Sequence, residues 1–150
     1  SSMERVGKAL DSHSENTMLD KVFFFELAIF SFLTGNNDMH LKNFSMIESF
    51  SGWVLSPAYD LLNVAILLPE DTEELALTLS GKKKKLKYEQ FEQLGKGMNL
   101  TNKQIEGAFK RTLKNRAKAM DWIDRSFLSH NLKTAYKELL EKRYKQIGLI

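Results

Sequence analysis

Between Met18 and Leu33 the chain is apolar on nearly every side of a helical wheel, with Phe23, Phe24, Phe25, Phe30 and Phe32 as its bulkiest members. A helix of that kind has no polar face to offer water, so the remaining elements must wrap around it. The stretch predicts a central, buried helix over residues 18–33. Its most apolar part, Val22 to Leu33, is too short to cross a bilayer and carries Glu26. Gly35 ends the helix, and Asn36 and Asn37 favour a turn. One hundred and fifty residues suffice to cover such a hub within one domain.

The elements that do the covering are mostly helical. Met3, Val6 and Leu10 have helical spacing and predict a short helix over 3–11. Thr17 is placed to cap the central helix, with Asp20 completing an imperfect capping box. Phe44–Ile47 and Trp53–Leu55, separated by a polar stretch with Gly52, read as a hairpin that Pro57 stops. Leu75, Leu77 and Leu79 alternate with small residues and predict a further strand. From Lys87 onward the pattern is all-helical. A short helix over 88–94 is closed by Gly95 and Gly97. Thr101 and Gln104 form a capping box for a long, bent helix marked by Ile105, Phe109, Leu113, Met120, Ile123 and Phe127. Leu132, Tyr136, Leu139, Leu140, Tyr144 and Ile147 stripe the last helix. The fold class is mainly α with a small β-hairpin. Trp53, Trp122 and the three consecutive phenylalanines read as packing residues.

Composition removes several functions. There is no cysteine, which excludes disulfides and thiolate zinc sites. His13, His40 and His130 lack metal-site spacing. No basic-then-apolar leader is visible, and a cytoplasmic location with no membrane partner is the expectation. The net charge of +3 conceals a division. Residues 1–80 hold 4 Lys/Arg against 12 Asp/Glu, a balance of −8, and residues 81–150 hold 18 against 7, a balance of +11. A basic half can face an acidic partner or nucleic acid, or simply complement the acidic half. Lys82–Lys85 reads as a solvated turn in preference to such a contact.

The acidic half holds the chemistry. Residues 35–43 read Gly-Asn-Asn-Asp-Met-His-Leu-Lys-Asn, and residues 55–61 read Leu-Ser-Pro-Ala-Tyr-Asp-Leu. Asp38 and Asn43 stand five apart, and Asp60 follows 17 residues after Asn43. That is the order of parts in the catalytic half of a protein-kinase-like phosphotransferase. Asp38, in a turn behind a rigid helix, can orient a hydroxyl. Asn43 and Asp60 offer hard oxygens that suit magnesium, which keeps several waters and nucleotide phosphates in its shell. The hairpin is the device that brings the distant positions together. His40 can donate to a phosphate or hold the loop, and Lys42 can contact a phosphate or anchor it. Alone, Asp38 would read as a turn residue and Asn43 as a strand-edge polar group, while Asp60, a carboxylate amid Ala58, Tyr59, Leu61 and Leu62, already calls for a partner; the joint pattern carries the inference.

The string from Gly35 to Ser45, followed by Ser56-Pro57-Ala58-Tyr59-Asp60-Leu61-Leu62, resembles the C-terminal domain of the HipA family. These are bacterial serine/threonine kinases that act as toxins in toxin–antitoxin modules. The resemblance implies a kinase large lobe over residues 1–150. It makes Asp38 the catalytic aspartate and Asn43 and Asp60 the Mg2+ ligands in the ATP complex. Ala58-Tyr59-Asp60 then takes the place of Asp-Phe-Gly in ordinary protein kinases. His40 matches an Asp-x-His pattern that is also similar to phosphatidylinositol kinases, so a lipid or small-molecule kinase lobe is the alternative within enzymes. A kinase-derived scaffold that binds an antitoxin and DNA is the alternative outside them. The resemblance further implies a protein substrate such as an aminoacyl-tRNA synthetase, a DNA-binding antitoxin, and operator DNA reached through the antitoxin complex. Neither a glycine-rich phosphate loop nor a strand-borne lysine precedes the motifs, and Gly95-Lys96-Gly97 is too sparse to serve. The small ATP-binding lobe is thus expected elsewhere: removed by truncation, supplied by a separate small-lobe chain, or lost in a remnant. Weak or absent kinase activity of these residues alone is the expectation.

Overall fold

The computed structural model describes all residues 1–150. Six helices and one hairpin occur in the order α1 (Met3–His13), α2 (Thr17–Leu33), β1 (Met46–Ser49), β2 (Gly52–Leu55), α3 (Tyr88–Gly97), α4 (Asn102–Lys114), α5 (Arg116–Arg125) and α6 (His130–Gln146). A single 3-10 turn, Leu41–Asn43, precedes the hairpin.

The apolar run becomes the hub. α2 packs against α1, α3, α4, α6 and β2. Its phenylalanines act as separate spokes. Phe24 meets Phe44 edge-on at 5.4 Å, Phe25 meets Phe109 at 5.8 Å, and Phe32 meets Phe91 at 5.3 Å. Edge-to-face pairs of this kind add roughly 0.5–1.5 kcal/mol each beyond simple burial. The first spoke couples the core to the segment that carries Asn43, just one residue before Phe44.

The helix is not buried all round. Leu19, Phe23 and Phe30 stay largely accessible on one side, and so does Trp122 on α5. Trp53 is also half-exposed on β2. Phe23, Trp53 and Trp122 are thus surface residues, contrary to their reading as packing groups, while Phe24 and Phe25 are fully buried as expected.

The hairpin pairs Met46 with Leu55 through Ser49 with Gly52. It is tied to α2 through Asp20. That carboxylate accepts the Leu55 backbone N–H and the Ser14 hydroxyl, both at 2.6 Å. Asp20 thus serves the hairpin, and Thr17 is the first helical residue with its hydroxyl donating to the Ser14 carbonyl. Lys21 is buried and paired with Asp11 at 2.6 Å, which joins α1 to α2.

Three further expectations change. No strand forms over 75–79. Leu75, Leu77 and Leu79 are buried, but Thr78 bridges only Ser2, with its carbonyl accepting the Met3 N–H at 2.9 Å. The alternating leucines pack beside the start of a helix, where no ladder can grow. The long helix over 105–127 is two helices that meet at Asn115, which caps the end of α4. Gly95 and Gly97 lie within α3 instead of after it, and Asn99 takes the left-handed conformation beyond its end. The Thr101–Gln104 capping box forms as expected.

Candidate active site

Local sequence positions the first arm of the site. Gly35 adopts φ of +71°. A Cβ there would lie 2.6 Å from Leu139 Cδ2 and 2.7 Å from Asn63 Oδ1, so the close approach requires glycine. Asn36 and Asn37 are both buried. The Asn37 amide donates to Asp71 Oδ2 at 3.1 Å and to the Glu73 carbonyl at 3.2 Å. Met39 points into the core, where the Ser31 hydroxyl meets its sulfur at 3.2 Å. Its neighbours Asp38 and His40 consequently face out and are exposed.

Asp38 and His40 contact each other, with Oδ1 and Nε2 3.1 Å apart. Both side chains are about half exposed, and the imidazole approaches only one carboxylate oxygen. Asn43, only 4% exposed, is the buried member of the group. Its Oδ1 accepts the His40 backbone N–H at 3.2 Å, and its Nδ2 donates to Asp60 Oδ2 at 2.6 Å. The hairpin therefore returns Asp60 to Asn43 across 17 residues of chain.

The second arm is irregular. From Ser56 to Lys87 there is no regular helix or strand. It is pinned at points. Tyr59 donates its hydroxyl to the Lys42 carbonyl at 2.9 Å, and Val64 and Ala65 donate their N–H groups to the Gly35 carbonyl at 3.1 Å. Asp60 has φ of +55°, a left-handed conformation uncommon for a residue with a side chain. Lys42 anchors through its backbone while its ammonium is exposed and free of any ion pair. In the Lys82–Lys85 run, Lys83 pairs with Glu73 at 3.0 Å and Lys84 reaches Thr72. Two members of that run thus fasten the second arm.

The arrangement offers two hard-oxygen groups on one side, Asp60 with an unengaged Oδ1 and Asn43 with a second lone pair on Oδ1. It offers a half-exposed carboxylate, Asp38, on the other. That donor chemistry fits magnesium better than a soft metal. Sequence reasoning did not find Gly35, Asn37, Met39 or Tyr59 as the residues that hold the site.

Comparison with known proteins bears on the family and the fold. Residues 1–120 match the HipA-like C-terminal domain. The chain belongs to that family. A protein of Haemophilus influenzae described as "Putative kinase" is 38% identical over 65 residues, covering 43% of this chain and 19% of its own length. "Putative kinase Y4dM" of Sinorhizobium fredii is 34% identical over 101 residues, covering 66% of this chain and 25% of its own. The HipA of Shewanella oneidensis MR-1, solved with HipB and operator DNA, superimposes with a TM-score of 0.80 at 23% identity. That match covers 98% of this chain and 36% of the HipA chain, and the likeness is one of fold. This HipA-like domain therefore spans between a fifth and just over a third of these relatives' lengths. No helix in it is long and apolar enough to cross a membrane.

Proposed function

We propose that this domain is the catalytic lobe of a HipA-type, ATP-dependent serine/threonine protein kinase. The observation that carries the reading is the 2.6 Å bond between Asn43 and Asp60, which joins the two motifs, while Asp38 touches His40, whose backbone N–H is held by Asn43.

In this reading Asp38 orients the substrate hydroxyl and takes its proton. The hydroxyl oxygen forms a bond to the γ-phosphorus as the bridging bond to the ADP oxygen breaks, so one phosphoester is exchanged for one anhydride bond. His40 holds Asp38 in place through Oδ1. Asp60 and Asn43 would hold Mg2+, which when bound neutralises charge on the nucleotide phosphates. The left-handed turn at residue 60 accompanies the contact of its carboxylate with the Asn43 amide. Lys42, exposed one residue before Asn43, is placed for a phosphate oxygen.

A hollow of about 360 Å³ lies between α1, the Leu41–Asn43 turn and the hairpin, with Val6, Leu10, Leu41, Phe44, Met46 and Leu55 among its walls. It is apolar and open, and suits the floor beneath a purine ring. The 150 residues contain no glycine-rich loop to cover the phosphates. We assign that cover to another part of a longer protein or to a separate small-lobe chain, and expect this domain alone to transfer phosphate weakly. A DNA-binding antitoxin partner is proposed by analogy with the Shewanella complex, which contains HipB and operator DNA.

Calorimetric titration of ATP with magnesium, against Asp60→Ala as control, tests the reading. Magnesium-dependent binding that the substitution removes is the expected result. Binding that survives Asp60→Ala would sink the assignment of the metal site. In the complete kinase, Asp38→Ala is expected to abolish transfer while nucleotide still binds.

A further inference from the structure

Three hollows along the outer side of α2 share one side chain, Phe30. The first, about 220 Å³, lies over Phe23 and Leu27 and is closed by Ala58 and Leu61, two residues that flank Asp60. The second, about 210 Å³, passes over Glu26, Thr34 and Arg111. The third, about 590 Å³, opens between α5 and α6 and is walled by Trp122, Ile123, Leu128 and Tyr136. Because Phe30 lines all three, they form one groove. It starts beside the proposed metal ligand and ends at the far helical pair.

The groove is built from groups that water solvates poorly. Phe30 is 45% exposed and Trp122 60%, and Phe127 projects fully just past the far end. Contiguous exposed apolar surface of this extent marks an interaction site. Its polar components favour one sign of partner. The only carboxylate that lines it, Glu26, is neutralised by Arg111 at 2.6 Å. Lys118 lines the widest part with no ion-pair partner, and Lys114, just before the Asn115 break, also has none. An occupant must therefore present apolar side chains inward and negative charge at the rim.

We infer that this groove docks an apolar, acid-flanked segment of the protein substrate and leads its phosphoacceptor toward Asp38 and Asp60. The identity of the occupant as substrate rests on the phosphotransfer reading above. The docking itself rests on the groove. No residue of the groove is used in binding metal or nucleotide, so the surface extends the site instead of restating it.

The test uses two labelled synthetic helical peptides with the same leucine stripe, one flanked by Glu and the other by Lys. Each is titrated into the 150-residue chain without nucleotide, with fluorescence anisotropy as readout. The Glu-flanked peptide is expected to bind about tenfold more tightly than the Lys-flanked one. Trp122→Ala and Lys118→Glu, both at exposed positions, are each expected to weaken it by about fivefold or more. Circular dichroism confirms that the variants stay folded. Equal binding of the two peptides, or binding indifferent to Trp122→Ala, overturns the proposal. A dimer in sedimentation that Trp122→Ala dissolves also overturns it, since the occupant would then be a second copy. Peptide binding without magnesium-dependent ATP binding would keep the docking groove and remove the kinase reading; the reverse pattern would remove only the groove.

Discussion

The turn that carries Asn43 and the segment that carries Asp60 are built in opposite ways. The first hangs directly on the hub helix. Met39 is driven into the core, Phe44 is clasped by Phe24, and the amide of Asn43 is buried and bonded at both ends. The second has no regular structure, exposes Tyr59, Leu61 and Leu62, and is held at scattered points: by one hydrogen bond at Lys42, two at Gly35 and one from Asn43 to Asp60. One proposed metal ligand is fixed before any ligand arrives, and the other can adjust. On the proposed phosphotransfer reading, that division would suit a site that grips a triphosphate and later releases a diphosphate.

Substitutions can break this contrast in graded steps. Phe24→Ala removes the clasp on the rigid arm and leaves a cavity in the hub; a loss of about 3–5 kcal/mol is expected in denaturant unfolding. Gly35→Ala strikes both arms at once, because the new methyl group meets Leu139, Asn63 and Ala65 in a left-handed backbone. It is expected to cost about 2–3 kcal/mol by the same measurement. Asn43→Ala deprives Asp60 of its partner and loosens the His40 turn, for about 1–2 kcal/mol. Unchanged stability in that variant would mean the rigid arm does not depend on the bond.

Asp60→Asn sharpens the comparison from the adjustable side. Asn tolerates the left-handed conformation and can still pair with Asn43, so stability should move by less than about 0.5 kcal/mol. Magnesium-dependent ATP binding is expected to weaken about tenfold or more in calorimetry. The smallest effect concerns pH. Burial raises Tyr136 and Tyr144 above their ordinary value of 10.0. The unfolded chain then ionises first as pH rises. Their contribution is intact below pH 10 and is lost as pH climbs toward the folded-state values. Tyr136→Phe and Tyr144→Phe should each flatten the fall in melting temperature at alkaline pH.

Local signals carried much of the fold. The hub, the hairpin and the Thr101 cap are written in contiguous residues. The errors have different causes, and one of them is dependence on a partner distant in the chain. Leu75, Leu77 and Leu79 have a strand pattern, but their neighbour is the start of α1. The break at Asn115 leaves the apolar spacing in phase on both sides, and the Asn itself was the overlooked signal, since it closes helices readily. Trp53 and Trp122 have the composition of core residues and the position of surface ones. For the candidate site, motif spacing indicated that Asn43 and Asp60 would meet. It could not give the orientation of the Asn43 amide, or show that Asn37 reaches partners 34 and 36 positions away.

The adjustable arm is also fastened from far along the chain. Glu74 accepts the Leu86 N–H and both contacts from the Gln146 amide, which lies 72 positions later, while Arg143 stacks over Phe32 beside it. A ribosome makes the chain from its N-terminal end, at about 5–20 residues per second. The two motifs therefore emerge several seconds before the side chains that fasten the frame around them. The segment that carries Asp60 gains these restraints only once the last helix of the domain has been made.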